Sequence, residues 1–382
     1  MHRTAPREVP DVAEKPTLGI DVHSLADQRT GVAVYVTNLV RGLAAIGAAG
    51  AVRLYLQAPS PEAAGFSTRI IPRTPMWTTL RLSLHFFGHE APRAMLFPAH
   101  VVPFYAPMPS VVTVHDLAFE LFPKHFTRSD RIRLRTLTRR SVRKAARVIA
   151  DSAATKRDLI ELLHVPEERI TVVHLGYDRE HFRPSTAAEV EAVRRRYALD
   201  RPYVIAVGTL QSRKNHVGLV RALARLIERG VDVDLVVPGA KGWLYENIFR
   251  TVRALGLEDR VHFLGFVPDA DLPALYSGAE VAALVSLYEG FGLPVLEAMA
   301  CGTPVVTSNV SSLPEVAGSA ALLVNPQDDE AIADALAQCI TDQELRLELA
   351  GRARLHLEGF SWERTARETL AVLRGVEATI RG

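Results

Sequence analysis

Short apolar runs, each followed by a polar loop and then by apolar residues at helical spacing, recur along the chain and restrict it to one fold class. The first run is "TLGIDVH"; after the loop "SLADQRTG", Val36, Leu39, Val40 and Leu43 repeat at helical spacing. "RLYLQ", "SVVTVHD", "RVIADS" and "ITVVHLG" follow in the first half, then "YVIAVG", "DLVVPG", "VHFLG", "VAALVS", "PVVTS" and "ALLVN" in the second. Runs that are apolar throughout suit strands buried on both faces, and strand–helix alternation builds parallel sheets covered by helices. A chain of 382 residues exceeds one typical core. The pattern therefore predicts an α/β protein of two doubly wound domains. Such sheets bind ligands beyond the carboxyl ends of their strands, so two facing domains leave a cleft lined by loops from both.

The polar stretch "YDREHFRPSTAAEVEAVRRRYALDR", residues 177–201, is where the interdomain linker is expected. The division that follows is a disordered tail over 1–16, an N-terminal domain over 17–180, a C-terminal domain over 181–361 and a terminal helix over 362–382. In that helix Leu370, Leu373 and Val376 lie at helical spacing.

Composition removes other classes. Hydrophobic residues at 48%, charged residues at 23% and a net charge of +2 fit a soluble globular chain with no call for a strongly charged partner. Cys301 and Cys339 cannot make a disulfide framework and point to a reducing compartment. "MHRTAPREVPDVAEKP" lacks the apolar core of a signal peptide. In the most apolar long stretch, 96–114, Pro98, Pro103, Pro107 and Pro109 rule out a spanning helix.

The chemistry concentrates in "LYEGFGLPVLEAMACGTPVV", Leu287 to Val306. Pro294 suits the first position of a helix, and Gly302 lies past its end. Gly290, Phe291, Gly292 and Leu293 then form a loop whose backbone can approach a ligand, ahead of a helix N-terminus that favours a phosphate. Glu289 opens the loop and Glu297 is expected in the first helical turn. Acids on both sides of a diphosphate suit a molecule with a sugar at each end. The plainer alternative is that Glu297 complements the helix dipole and Glu289 is a solvated loop residue. In "GTLQSRKN", Arg213 and Lys214 follow the first strand of the second half, where paired cations would neutralise a diphosphate; a solvated basic loop is the alternative.

"EGFGLPVLEAMACGTPVV" resembles the E-x7-E segment of retaining glycosyltransferases of family 4 with the GT-B fold. "TGVAVYVTNL", "VHDL", "VIADSAATKRDL", "VHLGYDREHF", "VGTLQSRKN", "LGFVPDADLPALYSGAEV" and "FSWERTARETL" fall in the family's order over most of the chain. The resemblance implies two Rossmann-like domains facing a central cleft, with a C-terminal helix that crosses back to the N-terminal domain. It implies that Glu297 holds the ribose hydroxyls, that Glu289 lies against the donor sugar, and that Arg213 and Lys214 hold the diphosphate without a metal. Here the sequence departs from the pattern, because Thr209 follows Gly208 where an Arg is commoner. Gly208 and Phe266 join the donor side. His115 would contact the donor sugar, with Asp116 orienting its imidazole. Thr30 and Gly31 would lie on the acceptor side, although relatives often carry two glycines there and Thr30 is also a complete helix cap.

The implied activity is transfer of a hexose from a nucleotide diphosphate donor to a hydroxyl of a glycan, lipid-linked or small-molecule acceptor, with retention. "GTLQSRKN" and "VHDLAFELFP" look most like bacterial mannosyltransferases of surface polysaccharides. That makes GDP-mannose the first donor expected, then UDP-glucose or UDP-N-acetylglucosamine, with no cofactor and no metal. The D-x-D matches at Asp232–Asp234 and Asp269–Asp271 are too short to carry a metal site. Rival classes are a sugar-nucleotide epimerase of the same fold, a glycosidase, and a non-catalytic sugar- or lipid-binding protein. A glycosidase's acids would flank the scissile bond rather than a glycine-rich loop.

Between Arg128 and Arg147 the chain carries nine basic residues and one acid, Asp130. Ile132, Leu134, Leu137 and Val142 give a partial apolar stripe. A solvated helix packed on the sheet is the plain reading; docking on an anionic membrane is the sharper one. No aromatic stacking surface accompanies the charge, so no nucleic-acid partner is expected. The expected location is the cytoplasm, with contact to the inner face of the membrane as the added option.

Overall fold

The computed structural model describes residues 16–26, 31–242 and 245–379. Almost all of the expected tail, and Thr30, lie outside the described residues. Seven strands form the N-terminal sheet: β1 (Leu18–Asp21), β2 (Val52–Leu56), β3 (Ser67–Ile70), β4 (Ala94–Phe97), β5 (Ser110–Val114), β6 (Arg147–Ala150) and β7 (Ile170–Val172). Six form the C-terminal sheet: β8 (Tyr203–Ile205), β9 (Asp234–Pro238), β10 (Val261–Gly265), β11 (Val281–Leu284), β12 (Val305–Ser308) and β13 (Leu322–Val324). The strand orders are β3-β2-β1-β4-β5-β6-β7 and β10-β9-β8-β11-β12-β13, with every pairing parallel.

Both sheets reverse their winding beside their first strand, between β1 and β4 and between β8 and β11. Connections leave in opposite directions at such a point, so a crevice opens at the carboxyl ends of the two strands. The loop after β8 carries Gly208, Arg213 and Lys214, and the loop after β11 carries Glu289. Topology alone brings these two motifs together.

Two strands of the first sheet escape the sequence reading. β3 is an edge strand with three of its four residues exposed, so "STRI" shows no apolar run. β4 is only "AMLF" and merges into the proline-rich apolar stretch behind it.

The expected linker stretch is not all linker. Residues Ala187–Arg196 form a helix closed by a capping box, in which Thr186 caps Glu189 N and Glu189 returns to the Thr186 backbone. This helix packs on the C-terminal domain at Leu272–Ser277. The crossing narrows to the segment before Thr186.

Helix Trp362–Ala378 packs against helix Gly31–Ala45 and beneath β4, β5 and β6 of the N-terminal domain. Trp362, Leu370, Leu373 and Val376 supply its buried face. Thr365 Oγ1 donates to the carbonyl of His174 at 2.7 Å. A continuous apolar core runs from the N-terminal sheet through Trp362 and Phe360 to Phe291 of the C-terminal domain.

Candidate active site

The loop after β8 turns back on itself before helix His216–Glu228. Asn215 makes the turn with φ of 57°, caps Gly218 N and donates to the carbonyl of Pro326 at 2.6 Å. Arg213 and Lys214 are thus presented from a fixed base rather than from a solvated loop. Both side chains are 15% exposed and both meet Glu289: Arg213 Nη1 lies 2.9 Å from Oε2, and Lys214 Nζ 2.7 Å from Oε1. Arg213 Nη1 also donates to the carbonyl of Tyr288 at 2.6 Å, and Ser286 Oγ donates to Glu289 Oε1 at 2.7 Å. Burial raises the Glu289 carboxyl, but the charges of Lys214 and Arg213 outweigh it and hold its pKa at about 2. Glu289 is therefore the fixed anion at the centre of a two-cation clamp.

Helix Leu293–Ala300 begins at Gly292, whose φ of 114° favours glycine, and has its proline near the start. Glu297 falls in the second turn, not the first, so the dipole of the helix start does not account for it. It is half-buried and accepts from Tyr276 Oη at 3.1 Å. Burial pushes its carboxyl up to about 7, with the charge of Asp269 adding to the rise. A carboxylate in that condition is short of partners, which suits a group that receives ligand hydroxyls.

The domains meet at this loop. A Cβ on Gly290 would lie 1.9 Å from the carbonyl oxygen of His115, so only glycine permits the approach. Ser152 Oγ donates to Gly290 O at 2.7 Å, Tyr288 Oη donates to Asp158 Oδ2 at 2.6 Å, and Leu117 N donates to Tyr288 Oη at 3.2 Å. Glu315 caps Ala153 N at 2.9 Å and pairs with His174 Nε2 at 2.5 Å. Tyr288, Ser152, Asp158 and Glu315 were not singled out from sequence. Tyr288 sits beside Glu289 in the motif, but nothing in its spacing marks a partner 130 residues away in the chain.

His115 is half-buried with both ring nitrogens engaged: Nδ1 lies 2.6 Å from Asp151 Oδ2, and Nε2 2.8 Å from the carbonyl of Pro98. Its orienting carboxylate is Asp151, not Asp116. The Asp116 carboxylate accepts from Ala118 N at 3.0 Å and caps its own turn. Burial lowers the His115 pKa, yet Asp151 and the Pro98 carbonyl raise it overall. What His115 turns towards the other domain is its backbone carbonyl.

The Phe291 ring is also directed inwards, 6.1 Å from the rings of His174 and Phe360. It can offer a ligand only backbone. Leu293 is half-buried at the start of its helix. Gly208 has φ of 149° and stands against the Lys214 side chain. Phe266 is 70% exposed on the loop after β10. Gly31 opens helix Gly31–Ala45. Three of the four D-x-D carboxylates are engaged by the protein, Asp232 by Arg260 at 2.7 Å among them. Arg260 and His262 hold Asp234 at 2.6 and 2.8 Å, and Arg196 and Tyr197 hold Asp271. Among the described residues no three potential metal-ligating side chains gather.

Comparison with known proteins fits this arrangement. The profile described as "Glycosyltransferase Family 4" matches residues 29–181, and "Glycosyl transferases group 1" matches residues 190–356. The chain is 35% identical to "O-antigen chain mannosyltransferase B" of Escherichia coli over 68% of this chain and 69% of that one. It is 38% identical to "D-inositol 3-phosphate glycosyltransferase" of Salinispora tropica over 60% of this chain and only 51% of that relative. Among solved structures, Anabaena Alr3699/HepE in complex with UDP-glucose superposes with a TM-score of 0.74 at 20% identity, covering 94% of this chain and 99% of that one. At that identity the likeness speaks for the fold alone. The chain belongs to the glycosyltransferases of the family 4 type, with the GT-B fold.

Proposed function

We propose that this enzyme transfers mannose from GDP-mannose to a hydroxyl of a glycan, lipid-linked or small-molecule acceptor, with retention at the anomeric carbon. The single observation that carries a nucleotide-sugar reading is the clamp of Arg213 and Lys214 on Glu289 at the β8/β11 switch point. The donor diphosphate would lie between the loop after β8 and the start of helix Leu293–Ala300. Glu297 would accept the ribose hydroxyls, and the backbone of Gly290 to Leu293 would approach the sugar. As the glycosidic bond breaks, charge grows on the diphosphate, and Arg213 and Lys214 are placed to meet it in place of a divalent cation. The acceptor proton would pass to the leaving diphosphate oxygen as the hydroxyl attacks on the same face. His115, with both nitrogens engaged, would serve as a fixed wall and not as a base.

Mannose is favoured over glucose and N-acetylglucosamine by the name of the Escherichia coli relative, while the HepE complex keeps UDP-glucose as the alternative. The experiment is product analysis with each labelled donor in turn, with anomeric configuration read by NMR. Transfer from GDP-mannose with an α product is expected. Release of free sugar alone, or conversion of one nucleotide sugar to another, would remove the transferase reading.

For the basic helix the structure favours a narrower version of membrane docking. Helix Arg128–Lys144 spends many of its cations on the protein. Arg135 and Arg139 pair with Glu120 at 3.3 and 2.9 Å, while Arg140 and Lys144 donate to carbonyls of 102–104. Beside them an apolar ridge stands in solvent: Leu84 is 63% exposed and Phe87 68%, with Phe87 stacked on Tyr105 at 4.0 Å. Apolar groups bordered by cations suit an anionic bilayer surface, here the inner face of the cytoplasmic membrane. Among the described residues no helix is long and apolar enough to cross a membrane.

A further inference from the structure

The N-terminal sheet has its own switch point, between β1 and β4, and a cavity of about 990 Å³ opens there. That volume is at the upper end of the range of about 300–1,000 Å³ for small-molecule sites. His23 and Gln57, just beyond β1 and β2, line it, together with Arg73, Thr74, Arg133 and Thr136. Nothing in the proposed donor chemistry uses these residues.

His23 is a built feature rather than a surface imidazole. Asp21 is 1% exposed and spends its carboxylate locally: Oδ1 accepts from His23 N at 3.1 Å and contacts His23 Nδ1 at 2.8 Å, and Oδ2 accepts from Thr78 Oγ1 at 3.0 Å. A carboxylate held this way fixes the imidazole orientation. The Trp77 ring lies 5.3 Å from that of His23, and Trp77 Nε1 donates to the carbonyl of Ile71. With Nδ1 taken, Nε2 is the nitrogen left for the cavity. Burial lowers the His23 pKa, but Asp21 lifts it above the ordinary value overall. The imidazole is thus biased towards its charged form.

The other charges agree in sign. Arg73 is exposed and has no carboxylate partner among the described residues. Arg133 is 67% exposed and meets Asp130 at 3.4 Å, a surface pair worth little. Among the described residues no carboxylate lines the cavity. A neutral sugar would not call for two guanidiniums and an oriented imidazole, whereas a phosphate matches them by charge and by guanidinium geometry. The donor diphosphate is accounted for in the other domain. Ala99 lines the cavity, and the neighbouring His100 ring lies 5.4 Å from that of His115, so this cavity shares its rim with the interdomain contact.

We propose that the acceptor carries a phosphate group and that Arg73, Arg133 and His23 bind it at the β1/β4 switch point. The proposal rests on the glycosyl-transfer reading, which assigns the opposite domain to the donor.

The test is calorimetry on the full chain with the donor site saturated by GDP. Mannose 1-phosphate, glucose 1-phosphate and N-acetylglucosamine 1-phosphate are titrated against the free sugars. Each phosphate should bind at least about tenfold more tightly than its sugar. The double variant R73A/R133A should lose that preference while keeping its affinity for GDP and its melting temperature. D21N, which loosens His23 without touching either arginine, should weaken the phosphates by a smaller factor. Equal binding of sugars and phosphates, or an undiminished preference in R73A/R133A, overturns the proposal. Failure of GDP, and of UDP in its place, to bind would instead count against the glycosyl-transfer reading. An octyl phosphomannoside arm identifies the source. Tighter binding than mannose 1-phosphate assigns the phosphate to a lipid-linked acceptor, and equal binding assigns it to a soluble one.

Discussion

Lys214 Nζ lies 2.7 Å from Glu289 Oε1, joining loops that leave two adjacent strands of the C-terminal sheet. Arg213 holds the other carboxylate oxygen, so the cluster carries one net positive charge before any ligand arrives. A diphosphate can then draw on both cations without having to replace the anion that holds them. Lys214→Ala should lower kcat by about 100-fold, the scale seen when one preorganised charge stabiliser is lost, with a smaller effect on donor affinity. Steady-state kinetics with the donor varied will separate the two. A change confined to KM would remove the leaving-group role. Chelation by EDTA should leave the rate unchanged; loss restored by a divalent ion would show that the cations do not suffice.

Removing the anion instead should cost stability. Glu289→Ala leaves two largely buried cations facing each other, and breaking a buried pair by deleting one partner costs about 3–5 kcal/mol. Denaturant unfolding should show the loss at about pH 7 and a smaller difference at about pH 2, where the wild-type carboxyl itself titrates. For a carboxyl whose folded pKa lies below its unfolded one, the stabilisation is present above the unfolded value and lost as pH falls through the folded value.

Glu297 carries the opposite sign. Its folded pKa of about 7 exceeds the ordinary value of 4.5, so the native state binds more protons between those limits. Its contribution therefore worsens as pH rises through that window. Glu297→Gln should melt near the wild-type temperature at about pH 5 and above it at about pH 8. Nucleotide-sugar affinity should move the other way. At about pH 8 the variant loses a charged acceptor for the ribose, worth about 1.5–3 kcal/mol. Unchanged affinity for the bare nucleoside diphosphate would end the ribose assignment.

These residues show what the sequence could and could not disclose. Strand runs and helix spacing are local patterns, and β8 to β13 and helix Gly31–Ala45 coincide with the runs read for them. Glu289, Arg213 and Lys214 were picked out separately, by residue type and by resemblance. Their convergence follows from strand order, which no local pattern encodes. Two of the differences at the site are of one kind, in which a sequence neighbour stood in for a spatial one. Asp116 is adjacent to His115 in sequence, but the end of β6 supplies Asp151 from 36 residues away. Phe291 sits among the loop glycines, but the helix Trp362–Ala378 side of the core claims its ring. The cavity at His23 needs residues from four strand ends and the basic helix, and it left no contiguous trace.

His115 offers a test of the inner geometry. Two acceptors at its two nitrogens are both satisfied only by the imidazolium. Its raised pKa means that the stabilisation is complete below about pH 6.5 and is lost as pH rises through the folded value. Asp151→Asn should lower the His115 pKa measured by NMR and flatten the decline of melting temperature above about pH 6.5. An imidazole that titrates identically in the variant would show that Asp151 does not govern its charge.

Membrane docking makes its own demand on the Phe87–Tyr105 ridge. Liposomes rich in anionic lipid should co-sediment the protein at low salt and release it partly at high salt, because exposed charges are screened while inserted apolar groups are not. Leu84→Ser/Phe87→Ser should abolish the salt-resistant fraction. Equal recovery on neutral and anionic vesicles would leave helix Arg128–Lys144 as a solvated, sheet-packed element.

Gly290 stands where the two domains touch. Its backbone passes so close to His115 that a Cβ would lie 1.9 Å from the carbonyl oxygen and 2.9 Å from Asp116 Cβ. Backbone cannot yield by that much without separating the elements that carry it. Gly290→Ala must therefore open the contact that Ser152 and Tyr288 also secure. On the proposed reading the donor loop and the clamp lie wholly in the C-terminal domain, so nucleoside diphosphate affinity should be nearly unchanged. Transfer needs the acceptor domain in place, because a misplacement of about 1 Å already costs about 100-fold. The variant should thus bind donor but turn over slowly, and its radius of gyration by X-ray scattering should exceed that of the wild type at saturating donor. A variant with wild-type turnover would mean that chemistry occurs without this interdomain contact. One with a wild-type radius but low turnover would place the defect in the loop's own approach to the sugar.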